Sequence, residues 1–466
     1  MRSLSLAVLS LAVALTVAAC GGGTGGTGAT TPAATSVSQG VVTAKGSVFV
    51  NGIEFFSTAG TAITIDDNPH PESDLKVGMV VKVRGTSDDA TRTGTATQIE
   101  ARDILEGTIS NVGANTITVM GQTVRIEDNV TRLNDDDNQK VFAQANFLAG
   151  DIVEVHGFAD DQGGVRATRV FRKVSGEFES KGFVTGLGAT TFGLALTPGG
   201  AAVLTVTFAG PLPAGTANGS FVEVKSANAP VAGTITASLI NLEDRIGAAG
   251  EKVEVEGIVS SGTLASFVVN GHSVVTSGST LFEGGLSSDF AVGVRLEAEG
   301  PLNASGAIAA TKISFESNIK IEADASGVSA TSLTVLGKTA AINQFTRIDN
   351  GPVANADHVE VRALRDRDGN LIATRIVVQS PSNKAFLQGP VTAANGTTGT
   401  LTILGTAVVS NGSTEWRVSS TSTDLPVTQA AFFAQVHTNV TVVKVRWDSF
   451  TNTSVPIKEA EIEIGN

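Results

Sequence analysis

Val81-Lys82-Val83-Arg84-Gly85 and Val153-Glu154-Val155-His156-Gly157 are two copies of one pattern, and that pattern decides the fold. Apolar and charged residues alternate with period two. In an extended strand this sends Val to one face and charge to the other, so each run reads as a strand with a buried side and a wet side. The same element returns as Val222-Glu223-Val224-Lys225, Leu296-Glu297-Ala298-Glu299-Gly300, Val359-Glu360-Val361-Arg362 and Val443-Lys444-Val445-Arg446.

Working outward, each copy is flanked by the same companions. A hairpin signal precedes it: Val50-Asn51-Gly52, Val119-Met120-Gly121, Val269-Asn270-Gly271, Val335-Leu336-Gly337 and Ile403-Leu404-Gly405, where glycine suits a tight turn with positive φ. A closing arm follows it, as in Gly164 to Val170, Gly306 to Ile313 and Gly369 to Ile376. First-strand glycines at 40, 107, 182, 257 and 389 give spacings of 67, 75, 75 and then 132 across two units, with Ala323 standing near the missing one. Internal repetition of this kind reads as an array.

The expected architecture is all-β: about six small closed β-barrels, OB-like, or compact sandwiches in tandem. Closure removes the unpaired edges that a lone short sheet would expose. The boundaries are 39-104, 105-175, 176-248, 249-316, 317-380 and 381-466. Copies three and six are the most degenerate; the sixth carries an enlarged insertion and the only two Trp, Trp416 and Trp447. No stretch shows sustained helical periodicity, and Gly is abundant at 52 residues while Tyr is absent.

The N-terminus carries a different signal. After Arg2, residues 4–19 are uncharged and rich in Leu, Ala and Val. This run is too short to span a bilayer, which needs ~20 apolar residues, and reads as a secretory signal peptide at 1-19. It closes on Val17-Ala18-Ala19-Cys20, which resembles the lipobox of bacterial lipoproteins. That resemblance implies a mature N-terminus at Cys20 bearing acyl chains such as palmitate. Gly21, where an Asp would favour inner-membrane retention, implies an outer-membrane lipoprotein of the cell envelope. Cys20 is the only cysteine, so no disulfide can form within the chain. The Gly- and Thr-rich segment 20-38 reads as a flexible tether.

The Val253 to Val259 run, the Asn270-Gly271 hairpin, Thr280 with Phe282, and the Gly306 to Ile313 arm resemble a module of bacterial lipoproteins, domain of unknown function 5666. The resemblance implies architecture and location but no activity.

Chemistry is sparse. The net charge of -13 with no basic block argues against a nucleic-acid partner, whose affinity rests on neutralised phosphates. His70, His156, His272, His358 and His437 fall at different places in different units, so they define no repeated site. Gly337-Lys338-Thr339 imitates the end of a phosphate-binding loop, but position 332 holds Ser332 instead of Gly, and the stretch coincides with a hairpin turn. Asp135, Asp136 and Asp137, together with Asp366 and Asp368, are candidate calcium ligands; Asp66-Asp67-Asn68 is a similar loop. A helix-loop-helix calcium site would want Gly and Glu where Leu371 and Val377 stand, and Asp and Gly are ordinary turn residues. Phe55, Phe56, Phe142, Phe147, Phe432 and Phe433 read as core before groove.

No serine-hydrolase elbow, zinc helix or paired-cysteine motif is present. The expectation is a non-enzymatic, cofactor-free binding or spacer protein, held to a membrane by lipid and facing an unknown envelope or extracellular ligand. The alternative is a hydrolase of envelope or extracellular polymer built on one specialised module, which would need a carboxylate pair in one groove. A membrane-spanning β-barrel is disfavoured by the missing aromatic girdles.

Overall fold

The computed structural model describes residues 35–463, apart from 44–46, 89–90, 128–129, 136–143, 244–245, 284–286, 316–318, 344–345, 366–368, 421–422, 437 and 439–440. Residues 34–466 form one compact unit. Cys20 and the signal and tether expectations through residue 34 lie outside the described residues.

Module 2 shows the common plan. Its long first strand, Leu105–Val112, pairs along its first half with the fourth-element strand Ile152–Ala159, and along its second half with Thr116–Val119. Thr116–Val119 turns back through Met120 (φ 50) and Gly121 (φ 74) into Gln122–Arg125. That third strand runs parallel to the closing arm, Val165–Lys173, which pairs antiparallel with Ile152–Ala159 and shuts the ring. The order around the barrel is first, second, third, last, fourth, with third and last parallel: an OB-like topology. Modules 3 and 5 close in the same way, and in modules 1 and 4 the third strand likewise meets the last in parallel. Module 6 is half-open: its hairpin strand Thr406–Val408 pairs only with Thr400–Ile403 among the described residues.

The repeated residues explain the closure. Positive φ at Asn51, Met120, Asn270, Leu336 and Leu404, each followed by a positive-φ Gly, marks the two-residue hairpin turns read from sequence. The first-strand glycine lies beneath that turn. A Cβ at Gly257 would sit 2.6 Å from the Asn270 Cβ, and one at Gly107 would sit 3.0 Å from the Met120 sulfur. The alternating Val residues fill the interiors: Val81, Val83, Val153, Val155, Val222, Val224, Val253 and Val255 are all fully enclosed. Each such side chain contributes roughly 1.5–3 kcal/mol.

Two expectations need correction. The first is that closure of each barrel removes its unpaired edges. In the closed barrels the first half of the first strand has one edge left over, because the second strand covers only the second half. Another barrel covers it. Leu105–Val112 pairs with the module 3 strand Phe178–Thr185, Ile319–Ser326 of module 5 pairs with Ala385–Asn395 of module 6, and Thr35–Val41 of module 1 pairs in parallel with Lys252–Thr263 of module 4. The six modules therefore form three shared sheets. The module 1 strand begins at Thr35, so the tether expected through residue 38 is shorter: Val37 and Ser38 are buried against module 4, and Ser38 Oγ donates to Glu254 Oε2 at 2.6 Å.

The second correction concerns the wet face. Lys82, Glu154, Glu223, Glu297, Glu299 and Arg362 are all buried, because neighbouring modules and strands cover the charged side as well.

Candidate functional site

Buried charge in this chain is neutralised mostly by partners within a module, and at several points by partners across a module boundary. Where module 3 meets modules 1 and 2, Lys181 Nζ contacts Asp103 Oδ1 at 2.6 Å, Glu223 Oε1 at 3.3 Å, and Glu179. Burial would lower the Lys181 pKa, but Asp103, Glu179 and Glu223 together hold it well above the usual lysine value. Glu179 is held down to about 2; burial opposes this, and Lys181 outweighs it. Burial, then Glu179, pushes Asp103 well above the ordinary carboxyl range.

Among the described residues, two carboxylate trios have the spacing of a cation site: Asp66, Glu106 and Glu154, and Glu254, Glu297 and Glu299. An ammonium already stands in each. Lys173 Nζ lies 2.8 Å from Glu106 and 3.2 Å from Glu154; Lys312 and Lys252 lie 2.7 and 2.8 Å from Glu299. These trios are structural ion-pair centres. Sequence reasoning missed them because their members come from different strands and, for Asp66, from a different module. The charge alternation was their only visible trace.

The structure scatters the residues singled out from sequence. Asp136, Asp137, Asp366, Asp368 and His437 lie outside the described residues, and of Asp135 only its place at the end of strand Arg132–Asp135 is described. His70 bonds Asp74 at 2.9 Å near the surface. His156 is fully buried where modules 1 and 2 meet, with Glu154 Oε1 2.8 Å from Nε2 and the Arg102 carbonyl 2.9 Å from Nδ1. His358 Nδ1 lies 2.9 Å from Asp324. Gly337-Lys338-Thr339 is a hairpin turn, with φ of 70° at Gly337. Phe55, Phe147 and Phe432 are core residues, and Phe56 is half exposed.

What sequence did not bring together is a cavity of about 320 Å³ where modules 2, 4 and 5 converge. Five arginines line it: Arg166 from module 2, Arg295 from module 4, and Arg347, Arg362 and Arg375 from module 5. The strand positions are those of the closing arms (Arg166, Arg375), the fourth elements (Arg295, Arg362) and the short strand Arg347–Asp349.

Asp289, from the short 3-10 turn Ser287–Asp289 of module 4, crosses the boundary and accepts from Arg375 Nη1; Arg362 Nη2 lies 3.2 Å from its other oxygen. Arg375 Nε donates to Asp349 Oδ2 at 2.7 Å and Arg347 Nε to Asp349 Oδ1 at 2.8 Å. Burial would raise Asp349, but these two guanidiniums hold it below its ordinary value. Asn343 Nδ2 of module 5 donates to Glu127 Oε1 of module 2 at 2.8 Å. Arg166 is pulled below the usual arginine value by burial, an effect opposed by Glu127 and reinforced by Arg295. Phe158, Ile258, Phe315 and Leu364 form the apolar wall, with the Arg295 guanidinium 5.7 Å from the Phe158 ring centre. Such a site can present forked N–H donors to an anion beside an apolar surface.

A protein of tandem five-stranded OB-like barrels, sealed to each other through first-strand edges, is the class that this fold defines. The chain belongs to the family described as Domain of unknown function (DUF5666), whose model matches residues 37–100, 106–170, 256–314 and 321–377. These segments correspond to modules 1, 2, 4 and 5. No curated protein matches the chain. Among solved structures, the drosophila Unr CSD456 structure is similar at 14% identity and a TM-score of 0.17, covering 60% of this chain and 98% of its own; at that score the likeness carries no structural argument.

Proposed function

We propose that this chain is a lipid-anchored outer-membrane protein that binds a small anionic, partly apolar molecule without transforming it. The observation that carries the reading is the convergence of five arginines from three modules on one cavity, in a protein whose net charge is -13. Guanidinium forks match carboxylate and phosphate oxygens, and several of them converge on one space here. Three carboxylates, Glu127, Asp161 and Asp289, also line the cavity, and Asp349, Glu256 and Glu360 pair with four of the five arginines, so the site offers forked N–H donors rather than a net positive charge. Arg347 and Arg375 hold Asp349 through Nε, and each guanidinium has further N–H groups for a ligand.

The compactness of residues 34–466 supports binding over an extended spacer role. The hydrolase alternative has less support, since the close carboxylate trios are filled by lysine. The lipid on Cys20 and its palmitate content rest on the lipobox resemblance, and metabolic labelling of wild type against Cys20→Ala tests them.

Calorimetry on the full chain with citrate, glycerol 3-phosphate and octanoate tests the ligand class. At least one of these is expected to bind with a Kd of about 1 mM or tighter, more weakly as salt rises. Arg347→Ala, at the most exposed of the ion-paired arginines of the site (42% exposed), is expected to weaken it by about tenfold. Affinity unchanged by salt and by this substitution would contradict the proposal.

A further inference from the structure

A second cavity, of about 580 Å³, lies where modules 1, 3 and 4 meet, and its chemistry is unlike the first. Among the described residues its lining contains no lysine or arginine, and its one carboxylate, Glu243, is engaged by Arg102. The apolar wall is the tilted pair Phe183 and Phe221, with ring centres 4.9 Å apart, next to Leu242 and Leu302. The polar wall consists of neutral amides, hydroxyls and one imidazole: Gln39, Asn218, Ser220, Asn270, His272 and Ser305. His272 stands 3.1 Å from Gln39 Oε1 through Nε2. A proton on Nε2 there leaves Nδ1 as an acceptor. Burial, and then Lys82, pushes its pKa down to about 4, so the ring is uncharged at neutral pH.

We propose that this junction cavity is a binding site for a neutral oligosaccharide. A sugar ring offers C–H faces and hydroxyl edges. Phenyl rings accept the former as apolar surface. The hydroxyls both donate and accept, as amides and hydroxyls on the protein do, so neutral side chains of this kind satisfy them without the desolvation cost of a charge. The volume falls within the range of small-molecule sites. The site is assembled rather than repeated: Gln39 comes from a first strand, Phe183 and Phe221 from the module 3 barrel, and Asn270-Gly271 from the module 4 hairpin turn, which packs so close that a Cβ on Gly271 would meet the Phe183 ring at 2.7 Å.

The test is calorimetry on the full chain at pH 7 with maltotriose, cellotriose and chitotriose, and with trialanine as the neutral peptide probe. At least one trisaccharide is expected to bind with a Kd of about 1 mM or tighter, and trialanine is not. Ala217→Trp and Ser305→Trp, at exposed positions on the rim, are expected to keep the melting temperature of the parent and to weaken that binding at least about tenfold by filling the space. Arg347→Ala, at the arginine cavity, is expected to leave it unchanged. Absence of binding by all three sugars, binding of trialanine alone, or sugar affinity unaltered in both tryptophan variants overturns the proposal.

Discussion

The seam between modules 2 and 3 and the seam between modules 5 and 6 use the same backbone device and opposite side-chain chemistry. In both, the leftover half-edge of one first strand pairs antiparallel with that of the next module. At the first seam Glu106 and Glu179 stand directly opposite each other, an arrangement that repels unless cations intervene. Lys173 and Lys181 intervene, and Lys181 is almost wholly enclosed. At the second seam the pairs are Lys320 with Gln388 and Glu322 with Phe386; Lys320 reaches Glu322 at 3.0 Å and Glu360 at 2.8 Å and lies 5.1 Å from the Phe386 ring centre. The difference teaches that the edge pairing is what joins the modules. The charges are accommodated at one seam by an ion network around the enclosed Lys181 and at the other by a single cation beside an aromatic ring.

The sharpest way to break this comparison is to remove each lysine. Lys181→Met leaves Asp103, Glu179 and Glu223 buried around an apolar chain and is expected to cost about 3–5 kcal/mol in denaturant unfolding. Lys320→Met is expected to cost only about 1–2 kcal/mol, because Arg362 stays 3.1 Å from Glu360 and both glutamates are less enclosed than the acids around Lys181. Equal losses would mean that the two seams are electrostatically alike.

A smaller effect separates them by pH. Glu360 lies below its ordinary value; burial opposes this, and Lys320 and Arg362 outweigh it. Its contribution is therefore fully present above the unfolded value of 4.5 and is lost as pH falls through the folded one. Glu360→Gln is expected to cost about 1 kcal/mol at pH 7, and the difference from wild type should shrink as pH falls below 4.5. Asp103 has the opposite sign. Its raised pKa penalises the folded state at neutral pH, and that penalty is relieved as pH falls from the folded value toward 3.8. Asp103→Asn is expected to change stability at pH 7 by less than about 1 kcal/mol, and carboxyl NMR on wild type should find Asp103 titrating above its ordinary value of 3.8.

The smallest expected effect is a control away from both seams. Gly337 turns the module 5 hairpin at φ 70°, and a Cβ there meets nothing within 4 Å. Gly337→Ala should cost about 1 kcal/mol from backbone conformation alone, with the seams untouched. A much larger loss would mean that hairpin geometry is transmitted to the junctions.

The elements most legible beforehand were those whose physics is local. Asn51-Gly52 and Met120-Gly121 announced tight turns because positive φ is a property of one or two residues. The Val-x-Val runs announced strands because side-chain alternation needs no partner. The glycine of the first strand was visible as a repeat, but its reason, the hairpin turn lying above it, was not. The candidate sites were not legible at all. Arg166, Arg295 and Arg375 occupy ordinary strand positions in three different modules, and His272 became notable only because Gln39 lies against it.

By itself the sequence determined the repeat, the strand-and-turn character and the interior of each barrel, since these follow from periodicity, turn stereochemistry and the burial of alternate apolar residues. Only the tertiary structure decided which modules share sheets, which charges are buried and where cavities form. Those outcomes depend on how unused strand edges find one another across more than two hundred residues, as Ser36 does with Lys252, and no local preference encodes that choice.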